Sequence, residues 1–287
     1  MTTLTSLPNP TAEARVAAPR SSFWDLVVSE WIKLRGLRST WWTLTIATLV
    51  AWVSTFAAAQ ADVDNWTQRH GTALGTGPFY NAVVDAFPVM GYLTVMLAAG
   101  AIGGLALAGE YGSGLMRTTT TAVPARTSVV LAKAVVQTVF WTVAGWIIAL
   151  VSFVIAQAVL SGIHQSIAIS YPGVMRAVAG AALAAPVSAL VGLGFGALIR
   201  HSAATMGVTA FVTLLLPNFF NDAKHWSADI RHSFVQSGFQ RLVQLWTLHP
   251  KDMPWLQATL TGAWSTYVAW PLAGVLVAVL MVRKRDV

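Results

Sequence analysis

The sequence predicts an all-α polytopic membrane protein with six transmembrane helices, an N-terminal interfacial helix and both termini cytoplasmic. Three observations lead there. Six intervals contain no Asp, Glu, Lys or Arg: Ser39–Ala61, Ala86–Gly109, Ala134–Met175, Ala177–Ile199, His201–Asn221 and Met253–Val282. Each reaches the roughly 20 residues that a helix needs to cross hydrocarbon. Charged residues make up 10% of the 287, against about 25% in a soluble domain, and the mean hydropathy is +0.61. With the N-terminus inside and six crossings, twelve of the 18 Lys and Arg residues fall on the inner side. The outer bases are matched by Asp62, Asp64, Asp85, Asp222, Asp229 and Asp252, so the whole net charge of +7 lies inside, as the positive-inside rule requires.

Residues 1–21 are rich in Thr, Pro, Ala and Arg and lack an apolar run, which predicts a disordered cytoplasmic tail and not a cleaved signal peptide. Residues 22–287 form the membrane domain. Within 22–40, Trp24, Val27, Trp31 and Leu34 recur at helical spacing, with Glu30, Lys33 and Arg35 off that face. This pattern fits a helix lying at the inner membrane interface, and also a cytoplasmic extension of span one. Trp41 and Trp42 start span one at headgroup level, and the span ends near Gln60. Asp62–Asp85 reads as a polar outer loop. Span two is expected at Ala86–Leu107, with Pro88 near its outer end, and an inner loop runs from Gly109 to Lys133. Span three follows at Ala134–Leu160, a short outer turn at Ser161–Tyr171, and span four at Val174–Ile199 with Pro186 inside it. Arg200 and His201 make a tight turn into span five, Ser202–Phe220. The outer segment, 221–261, carries Phe234, Phe239, Leu242, Val243 and Trp246 at the spacing of a short amphipathic helix that could lie on the leaflet, re-enter it or cap the bundle. Span six is Gly262–Val282, closed by Arg283, Lys284 and Arg285.

The chemistry this chain lacks narrows its function. It has no cysteine, so thiolate metal sites, disulfides and cysteine nucleophiles are excluded. No His-Glu-x-x-His is present, and Ser54, Ser152 and Ser188 have no histidine at comparable depth to activate them. No G-x-x-x-x-G-K-[ST] occurs, and no cofactor is expected. The span interiors carry no acid, base or His of the kind that ion-coupled transporters commonly use. The pI near 10.1 reflects inner-loop bases, which points to the lipid bilayer and not to nucleic acid as a partner. Gly100/Gly104 and Gly192/Gly196 are small-xxx-small pairs, suited to close packing within the bundle or between two copies. Thr43, Thr209, Phe211 and Thr213 are candidates to line a substrate path. The inner loop GEYGSGLMRTTTTAVPARTSVVLAK fits a docking peg for another protein, and equally an ordinary hairpin.

Three segments together resemble the permease subunit of ABC-2 type transporters, particularly the small permeases of high-GC bacteria. SEWIKLRGLRSTWWTL (Ser29–Leu44) is similar to the interfacial elbow helix entering span one. The inner loop is similar to the coupling loop, here 109–128, and LVGLGFGALIRHSAATMG (Leu190–Gly207) to the turn between spans four and five. The resemblance implies a bacterial cell-membrane protein that works with an ABC ATPase subunit and a second permease copy or paralogue, moving an amphipathic or apolar substrate, usually outward. It also implies that Glu110, Tyr111, Gly114, Arg117 and Thr118 sit at the ATPase coupling contact, and that Trp24, Trp31, Lys33 and Arg35 belong to the interfacial helix. The competing expectations are an ion-coupled secondary transporter without an ATPase partner, a membrane enzyme, and a scaffold or resistance protein using the same architecture.

Overall fold

The computed structural model describes residues 22–68, 81–115, 126–245 and 257–284. The described residues are helical, with no strands. Ten α-helices follow in order: α1 Phe23–Gly36, α2 Arg38–Gln68, α3 Asn81–Val84, α4 Val89–Gly112, α5 Arg126–Ser161, α6 Val174–Ile199, α7 Ser202–Ala210, α8 His225–His232, α9 Val235–Val243 and α10 Leu260–Lys284. After α7 the chain widens into a π turn over Phe211–Leu215 and then tightens to 3₁₀ over Leu216–Phe219. Among the described residues six helices are long and apolar enough to cross a bilayer: α2, α3–α4, α5, α6, α7 with its π and 3₁₀ continuation, and α10. The expected tail 1–21 and the basic residue Arg285 lie outside the described residues.

Span four, α6, is the axis of the bundle and the most enclosed of the six. It is built of small residues, so neighbouring backbones approach it closely. A Cβ placed on Gly192 would overlap the carbonyl oxygen of Gly100, one on Gly196 that of Gly104, and one on Gly103 that of Ala189. The two glycine pairs therefore face each other across spans two and four, within one chain. Gly145 of α5 meets the Ala182 carbonyl in the same way, and Gly274 of α10 meets Leu190. In lipid there is no hydrophobic drive between helices, so backbone proximity and dispersion must hold them. A few hydrogen bonds add to this: Trp52 Nε1 of α2 donates to the Ile148 carbonyl of α5 at 3.3 Å, and Tyr267 Oη of α10 to the Gly180 carbonyl at 2.9 Å. Large side chains turn outward instead. Ile46, Leu49, Val53 and Phe56 on α2, and Val268, Leu272, Leu276 and Leu280 on α10, form exposed apolar stripes.

Several boundaries differ from expectation, for one physical reason. A charge ends an apolar interval, but it does not end a helix if the charge finds a partner. Span two continues through Glu110 to Gly112, and the chain leaves it at Gly114, whose φ of +73° suits a residue without Cβ. Span three starts at Arg126, and its 36 residues make it about 54 Å long, well beyond the hydrocarbon thickness. The loop expected over 109–128 is therefore helical at both flanks. Asp62–Gln68 likewise continues α2, and Pro88 caps the start of α4. The first helix ends at Gly36, with an extended break at Leu37 before α2.

Among its described residues the outer segment holds two helices, and the second is the amphipathic one read from Phe234–Val243. It docks into the bundle. Phe239 and Leu242 are fully buried, the Phe239 ring stacks on Tyr92 of α4 at 5.3 Å, and Leu242 lies on Gly180. Arg176 of α6 donates to the carbonyls of Leu242 and Gln244, satisfying the open end of α9. Trp246 lies outside the described residues.

The glycine contacts predict a sharp contrast between two substitutions. Gly192→Ala pushes a methyl into backbone and should destabilise the protein by about 1–3 kcal/mol or more. Gly109→Ala meets nothing within 4 Å and should be neutral or stabilising by up to about 1 kcal/mol. Thermal unfolding in detergent would read both.

Candidate functional site

Glu30, Lys33, Glu110 and Lys133 come from three helices and meet at one end of the bundle, which also carries Arg126, Arg200 and Arg283 and is termed here the basic end. Ser22 and Asp25 form a capping box that starts α1: Asp25 Oδ2 accepts from the Ser22 backbone N–H at 2.8 Å. One turn further on, α1 presents Glu30 and Leu34 to α5 and buries them. Glu110 projects from the last turn of α4, and Lys133 from the second turn of α5.

The four side chains form a closed ring. Lys133 Nζ donates to Glu30 Oε2 at 2.6 Å and to Glu110 Oε1 at 2.7 Å. Lys33 Nζ donates to Glu30 Oε1 at 2.7 Å and to the same Glu110 Oε1 at 2.8 Å. Two acids and two ammonium groups make the ring neutral. Glu30 and Glu110 are each 7% exposed and Lys133 is 2% exposed, whereas the Lys33 side chain keeps 39% of its surface. Charges this buried persist only when paired. Burial pushes Lys33 down, but its hydrogen bonds to Glu110 and Glu30 and their negative charge outweigh that and hold it above its ordinary 10.5. The stabilisation from Lys33 is therefore fully present below pH 10.5 and is lost as pH climbs through the raised value.

Tyr111 follows Glu110 and turns toward α6. The Arg200 guanidinium lies over its ring, 4.3 Å from the centroid. Gly114 sits exposed at the helix exit with no side-chain neighbour. Arg117 and Thr118 lie outside the described residues. On α1 the expected apolar face splits: Leu34 is buried and Val27 packs on the core, while Trp24 and Trp31 are exposed together with Val28 and Ile32. The helix thus buries Glu30 against the bundle and exposes its aromatics, the arrangement suited to a helix whose outer surface is lipid. Arg35 is exposed, and its carbonyl accepts from Trp41 Nε1 at 3.0 Å.

The structure brings Glu110 and Lys33 together, places Tyr111 one residue away and leaves Trp24, Trp31 and Arg35 apart from the ring. Glu30 and Lys133 complete the ring and were not among the residues expected at the site. The spacing of Glu30 and Lys33 at i, i+3 on a helix meeting the membrane was the available signal, because an acid there needs a partner from another helix. The ring can fasten three helices; the described residues include no group of three His, Asp or Glu that could hold a metal ion. Thr209 and Thr213 are buried against span two, and Thr213 Oγ1 donates to the Thr209 carbonyl, so neither lines an open path within one chain. No protein-family model and no curated protein matches the chain.

Lys133→Met leaves two buried carboxylates with a single half-exposed partner and should destabilise the protein by about 3–5 kcal/mol, whereas Lys33→Met should cost about 1 kcal/mol or less. In a thermal double-mutant cycle, Glu110→Gln with Lys133→Met should cost clearly less than the two single changes added together.

Proposed function

We propose that this chain is the permease subunit of an ATP-binding-cassette transporter of the ABC-2 type. In this reading it lies in a bacterial cell membrane with its basic end and both termini cytoplasmic. It pairs with a second permease copy or paralogue, and ATP is hydrolysed by a separate subunit. The cargo is amphipathic or apolar and is exported.

One observation carries the reading. The segment that resembles an elbow helix and the segment that resembles a coupling loop are bonded to each other through Glu30, Lys33, Glu110 and Lys133. A motor pressing on the connection between α4 and α5 would load both flanks of that connection, and through the ring it would load α1 as well. The three helices then move as one lever. Glu110 acts as a positioning residue here: it transmits displacement within the chain, and the contact with the motor is assigned by motif alone to the segment that includes Gly114, Arg117 and Thr118.

A second reading, an ion-coupled transporter without an ATPase, is favoured by Asp85. This residue is buried at the far end of span two, bonded to Asp62 of span one, and its Oδ2 has no partner. An acid in that setting is a candidate proton or cation ligand.

Purification from the native membrane in mild detergent should recover an ABC ATPase with this chain. In the reconstituted complex Glu110→Gln should lower transport-coupled ATP turnover about tenfold with insertion intact, and Asp85→Asn should leave it unchanged. Solute accumulation by the purified chain alone, driven by an ion gradient and abolished by Asp85→Asn, would establish the second reading instead.

A further inference from the structure

Arg200 is the one residue between α6 and the cap of α7 that adopts the left-handed conformation, with φ +61° and ψ 10°. Gly or Asn would take that backbone with less strain, so the position holds a guanidinium where the fold would favour a smaller residue. Its Nε and Nη2 are buried and have no hydrogen-bond acceptor, and the Tyr111 hydroxyl beneath it is buried and unpartnered too. The charge sits over the π face of Tyr111. Arg126, at the start of α5, and Glu110 both lie close enough for their charges to act on the same hydroxyl.

Among the described residues no carboxylate forms an ion pair with Arg200. No acid occurs between Glu110 and Asp222 in the sequence. Glu30 accepts from two lysines through both oxygens, Asp25 caps α1, and Glu110 accepts from the same two lysines through Oε1 while its buried Oε2 has no partner. A guanidinium cannot shed its proton, so its two unpaired nitrogens stay open to an anion from another molecule. Its planar fork matches the oxygens of a phosphate, and the residue keeps a part-exposed edge for one to approach.

The location identifies which phosphate. Arg200 and His201 are the whole connection between two membrane helices, so the guanidinium is held at headgroup depth and does not project into solution. Leu198, two residues before it, and Leu115, four after Tyr111, are both 43% exposed and offer apolar surface for an acyl chain. We propose that Arg200, braced on Tyr111, binds the phosphate of an anionic phospholipid at the basic end of the bundle. The site is independent of what the protein transports.

The test is native mass spectrometry of the full chain released from mixed micelles of phosphatidylglycerol and phosphatidylcholine. Wild type should retain phosphatidylglycerol selectively. Arg200→Gln should lower its affinity about tenfold, the loss of a charge-assisted hydrogen-bonded pair. Arg200→Lys should recover part of it, and Arg283→Gln, an exposed base at the same end, should change nothing. Excess inorganic phosphate should not displace the lipid. Thermal stabilisation of the unmodified protein by phosphatidylglycerol over phosphatidylcholine gives the same reading if a variant fails to fold. Retention unaffected by Arg200→Gln, or no lipid preference in wild type, would overturn the site. Full displacement by inorganic phosphate would assign it to a free anion, and displacement by an acidic peptide to a docking protein, and either would overturn the lipid assignment.

Discussion

The structure depends on four charges sharing a volume that water barely reaches. Glu30, Lys33, Glu110 and Lys133 cannot be buried singly, because each alone would face a desolvation cost far above the stability of a helix pair. Together they are neutral, and each ammonium bonds both carboxylates, so each helix that brings a charge must bring it to the same point. That requirement fixes α1 relative to spans two and three. It also explains why both spans run as helix past the limit of their apolar intervals: the last turn of α4 and the first two turns of α5 exist to deliver Glu110 and Lys133 to the ring.

The rest of the bundle is organised by size and not by charge. Span four offers Gly and Ala on several sides and lets spans two, three and six come within backbone contact. Spans one, five and six carry the large apolar side chains on their outer surfaces. Span five is the least regular. Its path through an α, a π and a 3₁₀ segment changes the number of residues per turn within one membrane crossing, and Pro217, near the start of the 3₁₀ segment, has no N–H to continue the α ladder. Rigid charge pairing at one end and close backbone packing along the axis thus coexist with an irregular, lightly buried crossing at the side.

Much of this was legible in the sequence, and the limits were physical. Composition and interval length identify six crossings, and span four is read to the residue because non-helical positions at Gly173 and Arg200 bracket it. The short helix in the outer segment is visible in the spacing of Phe239, Leu242 and Val243. Its docking is not visible, because that depends on Gly180 and Tyr92, distant in sequence and unremarkable alone. The candidate site was half legible. Glu110 and Lys33 carry a motif, but their joining is a tertiary event, and reading Trp24 and Trp31 as one face with Leu34 assumes that apolar residues turn inward. Beside a bilayer the inside and the outside both accept apolar groups, so hydrophobic periodicity fixes a face without saying which way it points.

The ring also sets an order of assembly. Synthesis runs from the N-terminus, so the acid on the first helix and the acid at the end of the second crossing emerge with Lys33 alone to share, while Lys133 is still unmade. Until the third crossing arrives, one negative charge of the pair has no partner, and it must stay in contact with water or carry a proton. The nascent protein can therefore settle its first two crossings only provisionally, and the third acts as the latch.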